Sequence, residues 1–291
     1  MPENYVVYTD SACDIAPDTL KEWGVLYEEL TFKFDDEPDK EYKNYGLPSK
    51  EFYSRMRQGR IAKTSAVNVS AFKEGFEPIL KEGKDILYIG FSSGLSTTVN
   101  SAKVAADELK TVYPERKIIC VDTLAASAGF GLLLYLTLQE VKKGATMEEA
   151  AKFCEDNKLK LCHWFTVDDL VYLKRGGRVS GAAAFIGGML GIKPVLHVDN
   201  DGHLINMFKV RGRKTSLDAM ADKYGELALN KGEGDTVFVS HGDCIEDVEY
   251  LGSVLKERYG VGFTYIADVG PVIGAHSGPG TMALFFLGKE R

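Results

Sequence analysis

Apolar and polar residues alternate along the first half of the chain in blocks that predict strands followed by helices. Short apolar runs at residues 5–8, 86–91 and 118–121 have the length of buried strands. Helical spacing follows at residues 14–23, and a helix is predicted to end at Leu109. Strands that alternate with helices of this length predict parallel βαβ units.

The carboxyl ends of these strands are the predicted functional edge of the first sheet. Ligands of open parallel α/β sheets bind beyond the carboxyl ends of the strands. We therefore expect the loops at residues 9–11, 92–96 and 122–123 to carry the site.

The rest of the first half gives weaker local signals. The uncharged stretch 123–139 is predicted to be a buried helix, because its 17 residues are too short to span a membrane. Other predictions are an extended segment at 25–34, a surface loop at 35–44, and helices capped by Ser49, Ser70 and Thr146, the last with a capping box.

The second half predicts a mixed sheet. The sequence Asp199-Asn200-Asp201-Gly202 is a hairpin signal between strands at 194–198 and 204–210. The other predicted elements are strands at 161–166, 237–240 and 282–287, helices at 216–229 and 246–258, a basic glycine-rich turn at 174–181, and a glycine- and proline-rich segment at 270–280. We predict an α/β protein of two domains, a parallel-sheet domain at 1–160 and a mixed α+β domain at 161–291.

Composition narrows the class of function. The chain has 291 residues and a net charge of −7, so it lacks the basic surface of a nucleic-acid-binding protein. Its five cysteines include no CxxC pair and its histidines have no ligand spacing, so neither a disulfide framework nor a metal site is predicted. The N-terminal residues do not have the pattern of a signal peptide, so we expect a cytoplasmic protein.

Two hydroxyl-rich segments are candidates for binding an anion. Thr64 and Ser65, in a predicted loop, can donate to a carboxylate, or they belong to an ordinary turn. The segment 92–96, Ser-Ser-Gly-Leu-Ser, follows a buried strand and opens a helix. Its N–H groups, Ser93 and Ser96 make a seat for a carboxylate or phosphate, with a serine-rich cap as the alternative.

Further candidates lie in the second half. His276 is surrounded by glycines that let other groups come close, and a neutral imidazole can donate and accept. The basic residues Arg178 and Arg211 suit a phosphate, although solvated turn residues have the same pattern. The apolar segment 182–190 is either a pocket wall or core.

These segments together resemble the DegV family of bacterial fatty-acid-binding proteins. The resemblance extends over nearly the whole chain and rests on the order of its segments: 9–11, 63–65, 92–96, 122–123, 173–180, 191–194, 210–212 and 276–280.

The resemblance implies a buried long-chain fatty acid between two domains, with no other cofactor. Thr64 and Ser96 match the residues that hold its carboxylate, Ser93 lies nearby, and His276 matches a supporting histidine. The family serves as the acyl-carrying subunit of a fatty acid kinase, in which a separate ATP-dependent protein phosphorylates the bound acid. Arg178 and Arg211 match positions linked to the kinase or the acyl phosphate, and a transient membrane or acyltransferase contact would follow.

The chain departs from the family pattern at two places that border the carboxylate end. Ala66-Val67 stands where Gln-Pro is frequent, and Thr97-Thr98-Val99 follows the Gly-Leu-Ser where Gly-Thr-Tyr is frequent. Both leave Thr64 and Ser96 in place.

Two alternatives to a non-catalytic carrier stay open. One is a serine hydrolase or acyltransferase with Ser93 or Ser96 as nucleophile, His276 as base, and Asp10 or Asp122 as the orienting acid, although a GxSxG motif is absent. The other is an autonomous kinase, although no P-loop supports it.

Overall fold

The computed structural model describes residues 4–179 and 191–291. The strands of this part of the chain are β1 (Tyr5–Asp10), β2 (Leu26–Glu28), β3 (Thr31–Phe34), β4 (Tyr42–Lys43), β5 (Ala62–Ser65), β6 (Asp85–Gly90), β7 (Ile118–Asp122), β8 (Leu161–Thr166), β9 (Ile192–Val198), β10 (Leu204–Arg211), β11 (Phe238–His241), β12 (Tyr265–Asp268) and β13 (Met282–Leu287). The helices are α1 (Pro17–Glu22), α2 (Ser49–Arg57), α3 (Val69–Lys81), α4 (Thr98–Val112), α5 (Ser127–Lys142), α6 (Met147–Asn157), α7 (Leu170–Gly176), α8 (Arg213–Leu227), α9 (Ile245–Tyr259) and α10 (Pro271–Ser277).

The predicted βαβ units form a four-stranded parallel sheet. Its strand order is β2-β1-β6-β7. Strands β1 and β6 are mostly apolar and almost wholly buried, as is typical of central strands of a parallel sheet. Helices α3, α4 and α6 pack on this sheet. The parallel-sheet prediction for the first half is confirmed.

The second half forms a six-stranded mixed sheet. Its order is β10-β9-β8-β13-β11-β12, antiparallel except for β11 and β12. The predicted hairpin at 199–202 joins β9 to β10. Helix α8 covers strands β8, β9 and β10, whereas α5 from the first half of the chain packs against β8, β11 and β13. The division at residue 160 stays a prediction.

A small antiparallel sheet was not predicted. The extended segment 25–34 divides at Glu29 and Leu30: β2 joins the parallel sheet, and β3 pairs with β4 and β5. The predicted surface loop 35–44 therefore contains strand β4. Thr64, predicted to lie in a loop, is in β5 opposite Phe32. The pairing partners are far apart in sequence, so local patterns do not reveal them.

Two predictions about helix caps are wrong. Ser49 and Ser70 do not cap helices. Helix α2 follows Pro48 without a side-chain cap, and in α3 the amide oxygen of Asn68 accepts from the Ala71 N–H at 3.0 Å. Thr146 does form the predicted capping box with Glu149.

Two glycine-rich segments contain helices. Residues 170–176 form α7, which ends at Gly177 in the left-handed conformation, φ 64°. Residues 271–277 form α10, where Pro271 occupies the first helical position that proline favours. The remaining predicted turn residues, 180 and 181, and the apolar segment 182–190 lie outside the described residues.

Arg291 fastens three segments to one another. Its guanidinium donates to the carbonyls of Leu124 at 2.8 Å, Asp199 at 2.7 Å and Lys158 at 2.5 Å. These carbonyls follow β7, begin the β9–β10 turn and precede β8, so one side chain connects the edge of the parallel sheet to the hairpin of the mixed sheet.

We predict that Arg291→Ala lowers the free energy of unfolding by about 2 to 4 kcal/mol, because it removes charge-assisted hydrogen bonds to three half-buried backbone carbonyls. Urea unfolding followed by circular dichroism measures the change. The matched control is Lys289→Ala, two residues away and exposed. Equal midpoints for the two variants would contradict the role of Arg291.

Acid is predicted to destabilise the fold through His197. Burial lowers the pKa of His197 to about 4, and its Nδ1 lies 3.1 Å from the His163 carbonyl oxygen. Because the unfolded chain takes up this proton near pH 6.5, the contribution is present above pH 6.5 and is lost as the pH falls towards 4. Between pH 7 and pH 5 the loss is about 2 kcal/mol.

The test compares the wild type with His197→Asn, whose amide can keep the bond to the His163 carbonyl. Urea unfolding at pH 7 and pH 5 should show about 2 kcal/mol less acid sensitivity in the variant. The same sensitivity in both proteins would exclude His197 as the titrating group.

Candidate functional site

An internal cavity lies between the parallel sheet, the small sheet and the mixed sheet. Its volume is about 470 Å³, within the range of small-molecule sites. Most of its wall is apolar, and the main contributors are Phe91, Leu95, Phe165, Leu173, Val198, Val272, Ile273 and Phe285.

Exposure changes along the cavity wall. Ser65, Ser93 and Arg178 are exposed, Thr64, Ser96 and His276 are half-buried, and His163, Ser240 and Phe285 are fully buried. The cavity therefore has a polar mouth and an interior closed by the mixed sheet.

Thr64 and His276 meet at the mouth. Thr64 Oγ1 lies 2.8 Å from His276 Nε2, and the two residues are 212 positions apart in sequence. Strand β5 presents the hydroxyl, and the last turn of α10 presents the imidazole. Neither was predicted to be in regular structure, yet the structure brings them together.

Burial holds His276 in its neutral form. Burial and the nearby charge of Arg178 lower the pKa of His276 to about 4, while the backbone of Gly176 opposes that shift. The imidazole packs directly against Gly176, where a Cβ would lie 2.4 Å from Nδ1. A neutral imidazole can either donate to the Thr64 hydroxyl or accept from it.

The segment 92–96 forms a tight turn before α4 and not the first turn of the helix. The Ser92 carbonyl accepts from the N–H groups of Leu95 and Ser96, and Ser92 Oγ donates to the Gly202 carbonyl at 2.9 Å. The N–H groups of Ser93 and Gly94 are bonded to Asp122 Oδ1 and Ser92 Oγ. The predicted backbone donors of this segment are thus already used.

The turn contributes side-chain hydroxyl groups to the cavity wall. Ser96 Oγ accepts from the Thr98 N–H at 3.2 Å and lies 2.8 Å from Thr98 Oγ1. Thr98, one of the departures from the family pattern, is therefore the partner of Ser96. Gly94 is needed for packing against the β9–β10 turn, because a Cβ would lie 2.8 Å from the carbonyl oxygens of Asp201 and Gly202.

The two candidate arginines lie in different places. Arg178 lines the cavity, and its guanidinium donates to the Gly176 carbonyl at 2.5 Å. Arg211 is exposed at the end of edge strand β10 and is not part of the cavity wall.

The residues of the alternative hydrolase are not arranged as a triad within the described chain. The hydrogen bond of His276 Nε2 goes to Thr64, and Ser96 Oγ is paired with Thr98. Asp10 accepts from Tyr88 Oη at 2.6 Å and from the N–H groups of Phe91 and Ala12, and burial raises its pKa to about 6. Asp122 likewise holds backbone amides. Of the three predicted loops, 92–96 reaches the cavity, whereas 9–11 and 122–123 hold the sheet edge together.

Buried polar residues in the cavity wall were missed. Ser127, His163, Ser240 and Thr281 line its interior. The one available signal was the position of Ser127, a few residues past the carboxyl end of β7, because the other three occur in strands or beside them and look like core residues.

Within residues 4–179 and 191–291, no group of three or more His, Cys, Asp or Glu side chains could hold a metal ion. The helices described there are all too short or too polar to cross a membrane.

Comparison with known proteins gives one family. The family model described as DegV, a family of uncharacterised proteins, matches residues 4–289. A DegV domain-containing protein of Clostridium perfringens is 43% identical over 289 residues, which are 99% of each chain.

Solved structures agree over the full length. A DegV lipid-binding protein from Thermotoga maritima has a TM-score of 0.85 and 30% identity and covers 99% of each chain. A fatty-acid-binding DegV family protein from Thermus thermophilus has a TM-score of 0.84 and 28% identity, and the fatty-acid-binding DegV of Bacillus subtilis has 0.82 and 27%. Each match covers 98% of this chain and 99% of the other. This chain belongs to the DegV family.

Proposed function

We propose that this protein binds one long-chain fatty acid in the cavity and presents its carboxylate to a separate ATP-dependent fatty acid kinase. The observation that carries the proposal is the Thr64–His276 hydrogen bond at the polar mouth of an otherwise apolar cavity. The fatty acid binding of the Thermus and Bacillus relatives supports it.

The head group lies at the mouth. In this proposal the neutral His276 carries its proton on Nε2 and donates it to Thr64 Oγ1, which leaves the Thr64 hydroxyl proton for the carboxylate. Ser96 donates a second hydroxyl, since Thr98 can donate to Ser96 in turn, and the exposed Ser93 is near enough to the opening to join them. Burying an unpaired carboxylate would cost roughly several kcal/mol, and the charge-assisted hydrogen bonds offset this cost.

The tail fills the interior. Each buried methylene contributes about 0.8 kcal/mol, so a long chain supplies enough free energy to bring the charged head to a half-buried position. Neither a metal nor a further cofactor is needed for this binding.

Phosphoryl transfer takes place on the bound acid and in the kinase site. A carboxylate oxygen attacks the γ-phosphorus of ATP, the bond to the ADP oxygen breaks, and an acyl phosphate and ADP result. Arg178 at the mouth pairs with the new phosphate. The exposed Arg211 belongs to the surface of this protein on which the kinase docks. We place this exchange in the cytoplasm, with a transient membrane or acyltransferase contact for delivery of the acyl group.

Thr64→Val is expected to weaken fatty acid binding by about 10- to 100-fold, because it removes one hydrogen bond to a charged group while keeping the side-chain shape. Thr64→Ser should keep most of the affinity. Displacement of a fluorescent fatty acid from delipidated protein measures both.

The matched control is Thr111→Val, an exposed threonine of α4 that is remote from the cavity. Protein that binds no acid from a panel of chain lengths would refute the proposed function. Equal affinities of the Thr64→Val and Thr111→Val variants would refute the assigned position of the head group.

Arg211→Gln is expected to slow acyl phosphate formation about tenfold at low salt without changing fatty acid affinity, because an exposed charge acts on the encounter with the kinase. Trapping the acyl phosphate with hydroxylamine gives the rate. Lys110→Gln, which removes an exposed charge on α4, is the control.

Acyl phosphate made from ATP without the kinase would overturn the non-catalytic role.

A further inference from the structure

The buried end of the cavity has its own polar group. Ser127 begins α5 and lines the cavity, and its Oγ donates to Asp14 Oδ2 at 2.5 Å. Ser240 of β11 lines the cavity too, with its Oγ 2.9 Å from Ser127 Oγ. Asp14, Ser127 and Ser240 thus form a linear hydrogen-bonded chain that ends in the wall of an apolar cavity.

Burying the hydrogen-bonded group Asp14–Ser127–Ser240 costs free energy. Asp14 is 4% exposed, and no cation lies within ion-pair distance of it among the residues that the structure describes. Its other oxygen accepts from the Gly270 N–H at 3.0 Å. Asp14 and Ser127 both have a φ of 54°, in the left-handed region that is uncommon for residues other than glycine, although less so for aspartate. Packing alone would be served better by apolar residues.

In either protonation state of Asp14, the serine hydroxyls keep one hydrogen-bonding position that no group of the described residues uses. With Asp14 ionised, Ser127 donates to Asp14, Ser240 donates to Ser127, and lone pairs remain on the serine oxygens. With Asp14 protonated, the direction reverses and the Ser240 proton is left over. Burial raises the pKa of Asp14 to about 8, so both forms occur near neutral pH. A hydroxyl, which donates and accepts, matches either form.

A second uncommitted group lies beside the same turn of α5. His163 is 1% exposed and lines the cavity. Its Nδ1 lies 3.1 Å from the Leu161 carbonyl oxygen, so Nδ1 carries the proton and Nε2 is an acceptor. Nε2 has no hydrogen-bond partner among the described residues and lies against Gly129, two positions after Ser127.

We infer that the cavity is built for an acyl chain that carries a hydroxyl group, held beside the first turn of α5 by the Ser127–Ser240 pair with His163 as a further acceptor. This inference rests on the proposed function, because the carboxylate at the mouth places the chain. Plain fatty acids fit the same cavity but leave these polar groups without a ligand partner.

The experiment measures the affinity of delipidated wild-type protein for stearate and for stearates hydroxylated at carbon 9, 10 or 12. At least one hydroxylated isomer should bind about tenfold more tightly than stearate. Ser240→Ala should abolish that preference, measured as the ratio of the affinities for the hydroxylated isomer and for stearate in the same variant. His163→Phe, which keeps the ring but not the acceptor, tests the second group and should reduce the preference.

The outcomes separate the two proposals. If stearate binds but no hydroxylated isomer binds better, this inference is refuted and the proposed function is not. If no acid binds, the proposed function fails. Thr64→Val should weaken stearate and the preferred isomer by the same factor, and an unequal effect would contradict the assigned positions of the two ends. A preference that survives in Ser240→Ala would also refute the inference.

Discussion

The hydrogen bond between Thr64 and His276 depends on the position of one short helix, α10. Its first turn is fixed from the other half of the chain: Asp14 and Asn44 accept from the N–H groups of Gly270 and Val272 at 3.0 and 2.9 Å. Close packing fixes the rest, since Gly274 leaves no room for a Cβ beside the Tyr53 ring. A seven-residue helix is too short to be stable alone, so these contacts determine where the imidazole lies.

Neutral side chains dominate the cavity wall. His276 and His163 are held neutral because burial lowers their pKa values, and burial raises the pKa of Asp14. Arg178, at the exposed mouth, is the cationic side chain of the described wall. An anion is therefore attracted to the mouth, whereas the interior wall offers hydrogen bonds from neutral side chains.

The sequence predicts the parts of this structure that depend on local pattern. The apolar runs of β1, β6 and β7, the β9–β10 hairpin and the Thr146 capping box appear in the structure as expected, because each depends on residues close in sequence. Strands β4 and β5, the pairing of β3 with them and helix α10 were missed because distant partners stabilise them. Thr64 was singled out as a candidate but placed in a loop, since its pairing with Phe32 leaves no local signal.

The site shows the same division. Thr64, Ser93, Ser96, His276 and Arg178 all line the cavity, although their hydrogen-bond partners were not predictable. Ser240 looks like any residue of a buried strand, and only the fold brings it to Ser127, 113 positions away. In the proposed function the mouth fixes the carboxylate, and the sheet fixes the distance from the mouth to the Ser127–Ser240 pair. Selectivity among acyl chains would then depend on the distances that the folded backbone sets, and a local sequence motif does not reveal those distances.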